Sequence, residues 1–234
     1  MYEERPPAPG LAGRIACEWR LHSETGGTRL VVPDGCVDLI WGPDGPFVAG
    51  PDTGPMPTSM RAGDTFTGIR FLPGATGDVF GVPLHRLRDQ RVPLSHLDVL
   101  PELTAPSTLF AEATTSQARL RAMRSAVAAR LRETPPADPA AFAIAAALRS
   151  ARTVSQVAWD LGYSERQLHR RSVAGFGYAP KTLQRIVRFQ RALRLARSGV
   201  PPAEVAATSG YTDQAHLSHE VKRLSGVPLS HLVA

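Results

Sequence analysis

Along the first third of the chain, apolar and polar residues alternate with the two-residue period of half-buried strands. Ile15, Cys17, Trp19 and Leu21 interleave with Ala16, Glu18, Arg20 and His22, which predicts one set facing inward and the other outward. Leu30-Val31-Val32 and Val37-Asp38-Leu39-Ile40-Trp41 flank the turn former Pro33-Asp34-Gly35. Pro43-Asp44-Gly45-Pro46 marks another turn before Phe47-Val48-Ala49. Short runs at Met60–Arg61 and Thr65–Leu72 follow, broken by Gly63-Asp64 and Pro73-Gly74. Strands this short and this closely spaced predict a small β-rich barrel or sandwich over residues 1–110.

The period changes after residue 105. From Gln117 to Glu133 there is no Gly or Pro, and Leu120, Met123, Val127 and Leu131 form one helical stripe. Arg119, Arg121, Arg124, Arg130 and Arg132 occupy most of the remaining surface. The stripe suits either a homodimer interface or packing on the chain's own barrel. Thr134-Pro135-Pro136-Ala137-Asp138-Pro139 then breaks the helix, so 111–138 reads as a helical linker and 139–234 as a second, all-helical domain. Helices are predicted over 140–150, 154–161, 165–174, 181–198, 202–208 and 213–224, with a last turn at 229–233.

The helical half contains a diverged duplication. Val157-Ala158 and Gly162-Tyr163-Ser164 recur as Val205-Ala206 and Gly210-Tyr211-Thr212, and beyond one inserted residue Leu168, Gly177 and Leu183 recur as Leu217, Gly226 and Leu232. In the first copy, Thr153 with Gln156 and Ser164 with Gln167 are capping boxes that start two helices, and Gly162 permits the tight turn between them. That is a helix-turn-helix, whose second helix carries Arg166, His169 and Arg170 on one polar stripe able to meet a major groove. In the second copy Thr212 or Asp213 can cap. Gln214, Ala215, Ser218 and His219 share its outward face, with Leu217, Val221 and Leu224 inward. Between the copies, Lys181 to Ser198 predicts a helix of about 27 Å. Such a strut can hold two recognition helices one turn of DNA apart, about 34 Å.

Charge sharpens this picture. The 234-residue chain has a formal net charge of +6 and a pI near 10.0. Residues 1–134 carry 14 Arg against 15 Asp plus Glu, whereas residues 135–234 carry 11 Arg and 2 Lys against 6 acids. The basic excess therefore belongs to the duplicated half, which implies a polyanion partner for that half alone.

Gly210-Tyr211-Thr212-Asp213-Gln214-Ala215-His216-Leu217-Ser218-His219-Glu220-Val221-Lys222-Arg223-Leu224-Ser225-Gly226-Val227-Pro228 resembles the signature of AraC-type transcriptional regulators. Their DNA-binding domain has two helix-turn-helix units joined by a long helix. The resemblance implies base reading by Arg166, His169 and Arg170, and by Gln214, Ala215 and Ser218 with His216 nearby. Phosphate contacts are expected from Arg188, Arg191, Lys222, Arg223 and helix N-termini, and from His219, although the family usually has arginine at that position. It also usually has phenylalanine where Ser172 and Val221 stand. Val32 to Trp41, Ala49-Gly50-Pro51-Asp52-Thr53 and Gly68 to Gly74 are similar to a cupin-like sensor domain found before such DNA-binding domains. The expected fold is thus α+β: a cupin-like barrel, then an all-α double helix-turn-helix. The expected function is a sequence-specific, effector-responsive transcription regulator acting on double-stranded DNA. The alternative is a cupin-like small-molecule binder or enzyme with an accessory nucleic-acid-binding domain.

Other chemistry has little footing in the sequence. His22, His85 and His96 lack metal-ligand spacing, and neither a phosphate-binding loop nor a nucleophile elbow occurs, so no cofactor and no enzymatic activity are expected. Cys17 and Cys36 are the only cysteines. They are expected as small buried residues of a cytoplasmic protein, with a redox pair open if their strands adjoin. No apolar run is long enough to span a bilayer. Trp19, Trp41, Asp38 and Arg70 are the candidates for an effector pocket. Asp38, Asp52 and Arg70 suit either that pocket or a buried structural pair.

Overall fold

A computed structural model describes residues 1–149 and 152–233. Eight strands form the N-terminal half: β1 (Tyr2–Arg5), β2 (Ile15–His22), β3 (Gly27–Val31), β4 (Val37–Gly42), β5 (Gly45–Ala49), β6 (Met56–Met60), β7 (Thr65–Phe71) and β8 (Arg91–Pro93). Six pair antiparallel in the order β1-β2-β7-β4-β5-β8, and β3 pairs with β6 as a separate ribbon. This is the β-rich half expected, closed on one side by the main sheet and on the other by the ribbon.

Strand parity decides what each face of the main sheet does. Ile15, Val37, Leu39, Trp41, Val48, Ile69 and Phe71 point into the larger core. Cys17, Trp19, Ile40 and Ala49, with Leu21, Phe47 and Phe66 beside them, form a second, smaller apolar cluster. The expected grouping of Ile15 with Cys17, Trp19 and Leu21 is corrected by a register shift between Ile15 and Cys17. A bulge there moves Ile15 to the opposite face from the rest of its set.

The helix α2 (Ser116–Glu133) follows a short α1 (Thr108–Glu112). Met123 and Val127 are fully buried in the larger core, with Leu120 and Leu131 packed against it. Burying Met123 and Val127 contributes roughly 1.5–3 kcal/mol each. The stripe therefore packs on the chain's own sheet, and the segment expected as a linker is part of this core. Glu18, expected on an outer face, is covered by α2 and accepts from Arg124 Nε and Nη2 at 2.8 and 2.6 Å.

The second core is helical: α3 (Pro139–Leu148), α4 (Val154–Asp160), α5 (Glu165–Phe176), α6 (Pro180–Arg197), α7 (Pro202–Thr208), α8 (Gln214–Ser225) and α9 (Leu229–Val233). Leu183, Ile186, Phe189 and Leu193 bury one side of α6 among Val157, Leu168, Val205, Leu217 and Leu224. The long helix thus supports both helix pairs, which is what a spacing strut requires. The two halves also touch. Gln190 Nε2 on α6 donates to Pro33 O at 2.6 Å, and Val32 packs against the helical core.

Candidate nucleic-acid interface and ligand cavity

The duplication seen in the sequence is repeated in backbone geometry. Gly162 and Gly210 have φ of 69° and 79°, a left-handed conformation that glycine adopts without a Cβ clash. Tyr163 N donates to Ala158 O at 2.8 Å, and Tyr211 N to Ala206 O at 3.0 Å. These are the bonds that close a helix C-terminus in a tight turn. Recognition helices α5 and α8 in turn end at Gly177 and Gly226, whose φ values are 79° and 76°.

Capping fixes where each recognition helix begins. Both predicted boxes are formed: Thr153 Oγ1 accepts from Gln156 N and Ser164 Oγ from Gln167 N, each at 3.2 Å. The Gln156 and Gln167 side chains each return a 2.8 Å bond to the capping residue's N–H. In the second unit the cap is Asp213, which accepts from His216 N at 2.7 Å. With Leu168 and Leu217 buried beneath, the opposite faces are left to solvent. Arg166, His169 and Arg170 on α5, and Gln214, Ala215, His216, Ser218 and His219 on α8, are all exposed. His216 is partly committed to its own turn: Thr212 N donates to its Nδ1 at 3.3 Å. An accepting Nδ1 puts the ring proton on Nε2, a donor.

Basic residues around these helices divide into engaged and unengaged. Arg185 Nε donates to Glu220 Oε2 at 2.7 Å, which ties α6 to α8. Arg171 pairs with Asp138 and lies 5.0 Å over the Tyr163 ring. Lys222 and Arg223 are exposed, Arg223 with its guanidinium 3.8 Å from Glu220 Oε1, whereas Arg188 and Arg191 are half-buried, and Arg188 Nε is buried with no hydrogen-bond partner. Trp159 on α4, which sequence reasoning did not single out, is 85% exposed.

A second feature lies between the main sheet and the β3–β6 ribbon: a cavity of about 780 Å³. Its apolar floor is the smaller cluster around Trp19, and α6 contributes Gln190, Leu193 and Arg197 to its wall. Strand register lines up Cys17, Arg70, Asp38, Ala49 and Arg91 in one row across β2, β7, β4, β5 and β8. The adjacent row is Trp19, Gly68, Ile40, Phe47 and Pro93. The cavity is therefore charged in one row and apolar in the next. Of the four pocket candidates, Trp19, Asp38 and Arg70 line it. Trp41 does not: its parity turns it into the larger core, stacked 5.3 Å from Phe110. Arg91, not named from the sequence, lies in the charged row.

Asp38 and Arg70 form the buried pair the sequence allowed, whereas Asp52 pairs with Arg91. Arg70 Nε and Nη2 donate to Asp38 at 3.1 and 3.0 Å, and Arg91 Nη1 and Nη2 to Asp52 at 2.9 and 2.7 Å. Burial pushes the Asp38 carboxyl up to about 6 despite the opposing pull of Arg70. Burial also works against the Arg70 charge, but Asp38 and Asp34 outweigh it and hold the guanidinium protonated more firmly than usual. Cys17 and Cys36 are free. Cys17 lies on β2 and Cys36 just before β4, and β7 separates those two strands. Burial pushes the Cys17 thiol up to about 11 and the Cys36 thiol well above its usual range, which disfavours the reactive thiolate. His22, His85 and His96 are exposed on separate elements.

Two helix-turn-helix units braced by one long helix define the class: a DNA-binding protein with paired recognition helices. Residues 157–234 match a helix-turn-helix domain family, and residues 3–93 match a domain of unknown function (DUF6597). The helical half is thus a helix-turn-helix domain by its geometry and by its family match alike. It is also similar to solved structures of ToxT from Vibrio cholerae. The O395 structure has a TM-score of 0.46 at 9% identity, covering 92% of this chain and 95% of that one. The unsaturated fatty acid-bound wild-type structure from strain SCE256 has a TM-score of 0.49 at 10% identity, covering 98% and 96%. A search of curated proteins found no match to the sequence.

Proposed function

We propose that the protein binds a specific DNA sequence through α5 and α8 together and that a small molecule in the β-domain cavity modulates this binding. The observation that carries the first part is the geometric repeat. Two turns with the same hydrogen bonds present two exposed polar faces from one strut. On this reading Arg166, His169 and Arg170 read bases in one major groove. Gln214, Ala215, Ser218 and the Nε2 of His216 read them in the next. Lys222 and Arg223, exposed at the end of α8, meet phosphates, with His219, Arg188 and Arg191 as further contacts. The second part is supported by the cavity wall: Gln190, Leu193 and Arg197 belong to the same helix that spaces the recognition helices. A ligand there touches the strut directly. On this reading the protein works in the cytoplasm. A homodimer would have to use a surface other than the α2 stripe, which is buried. Fluorescence anisotropy with duplexes from upstream of the protein's own operon tests the proposal. Specific binding that Arg170→Ala weakens supports it, and equal affinity for random DNA at physiological salt refutes it.

A further inference from the structure

The charge pattern of the cavity narrows the class of molecule it takes, given that the cavity is an effector site. Arg70 and Arg91 are the guanidiniums of the charged row, and both are already engaged. Besides Asp38, Arg70 has Glu4 at 3.6 Å and Asp34 at 3.7 Å. Arg91 is held by both oxygens of Asp52. Glu4, Asp34, Asp38 and Asp52 therefore outnumber the two arginines they surround. At the charged row, an incoming carboxylate or phosphate has to break a guanidinium pair and then face the carboxylates it displaced. An ammonium at that row instead meets surplus negative charge, with the aromatic residues Trp19 and Phe47 in the same cavity to favour a cation further. The arginines on the other walls are Arg29 on the ribbon, Arg61 just after it and Arg197 on α6, and Asp44 and Asp64 line the cavity as well. Arg29 is stacked 4.9 Å over the Tyr2 ring.

We propose that this cavity binds a small organic amine with a flat apolar body. The ammonium sits at Glu4, Asp34 and Asp38, and the body lies on Trp19, Ile40 and Phe47. Ala49 supports the arrangement, since its single methyl between Asp38 and Arg91 in the charged row leaves room that a larger side chain would fill. A volume of about 780 Å³ is within the range of small-molecule sites, roughly 300–1,000 Å³.

Three probes with nearly the same body separate the possibilities by calorimetric titration of the full chain: 2-phenylethylamine, 2-phenylethanol and 3-phenylpropanoate. The amine is expected to bind at least about tenfold more tightly than the propanoate. The double variant Glu4→Gln, Asp34→Asn keeps the side-chain acceptors but removes two charges. It is expected to abolish most of that preference while leaving the affinity for the alcohol unchanged. Propanoate binding as tightly as the amine, an amine preference that survives the double variant, or no binding of any probe each overturns the proposal. Anisotropy on the same preparation keeps the two readings apart. Specific DNA binding without amine preference sinks only the ligand class. Amine preference without specific DNA binding sinks the regulator and leaves the site.

Discussion

Gly68→Ala is a single-methyl test of how the cavity floor is built. Gly68 lies opposite Trp19 on one side and Ile40 on the other. A Cβ there would stand 2.3 Å from Trp19 Cε2, 2.4 Å from Cζ2 and 2.6 Å from Nε1. Carbon atoms pack at roughly 3.5–4 Å, so the indole must move by more than an ångström. It has little freedom to do so, being 7% exposed. Overpacking of this kind costs typically 1–3 kcal/mol, and replacing a strand glycine by alanine returns about 0.5–1 kcal/mol in backbone entropy. The expected outcome is a net loss of about 1–2 kcal/mol. Trp19→Ala alone should cost about 3–5 kcal/mol. The double variant should lose less than the sum of the two, by about 1–2 kcal/mol, because the methyl then has nothing to strike. Urea unfolding of the four proteins, followed by far-ultraviolet circular dichroism, measures the cycle. If Gly68→Ala is as stable as the parent, or if the two substitutions simply add, the indole does not lie over Gly68 and the cavity floor is wrong.

Further outcomes follow from the DNA-binding half and from Asp38. Arg170→Ala is expected to weaken binding to the cognate duplex by about 1–3 kcal/mol and to leave the unfolding midpoint unchanged, since the side chain is exposed. Arg223→Ala is expected to weaken binding to all sequences alike and to reduce the salt slope by about one, read by anisotropy across a salt series. Leu168→Ala, at a fully buried position, should destabilise the helical core by about 2–5 kcal/mol, seen as a lowered urea midpoint. Asp38 is held up to about 6 by burial against about 3.9 in an unfolded chain, so the folded state binds the extra proton. Its contribution to stability is full below about pH 4 and is lost as pH rises through its folded value. Asp38→Asn is therefore expected to flatten the fall in thermal midpoint across that window, and an unchanged slope would remove Asp38 as its source.

The helical half was legible almost to the residue because its signals are local. Gly, Pro and capping residues sit at the helix ends, and a 3.6-residue stripe of apolar side chains lies between them. Both capping boxes formed as read, and the choice between Thr212 and Asp213 was resolved in favour of Asp213 by its bond to His216 N. In the β-rich half, β2 was readable from alternation, and β4, β5 and β7 from short runs between turn formers. The edge strands β1 and β8 were not. Tyr2–Arg5 is mostly charged and Arg91–Pro93 is three residues long, so pairing with a neighbour, not pattern, makes them strands. Nor does sequence reveal the bulge that separates Ile15 from Cys17, or which partner the α2 stripe chooses. Both depend on contacts distant along the chain.

The candidate sites divide in the same way. Exposure of the α5 and α8 faces follows from helix period alone. The cavity is a product of sheet order, which brings Arg70, Asp38 and Arg91 from β7, β4 and β8 into one row. Trp41 looked equivalent to Trp19 in the sequence, but it is one residue out of phase with Asp38 and Ile40 and so faces the other core. Arg91 had no pattern to mark it, because its meaning comes from Asp52, which lies on a different segment of the chain.

The central claim is that one strut presents two recognition helices to a specific DNA sequence. Equilibrium binding of the purified protein to a duplex from upstream of its own operon, against a scrambled duplex of equal length and at physiological salt, tests it most directly. The expected preference is at least about 10³-fold, reduced by Arg170→Ala. Equal affinity for the two duplexes would contradict it.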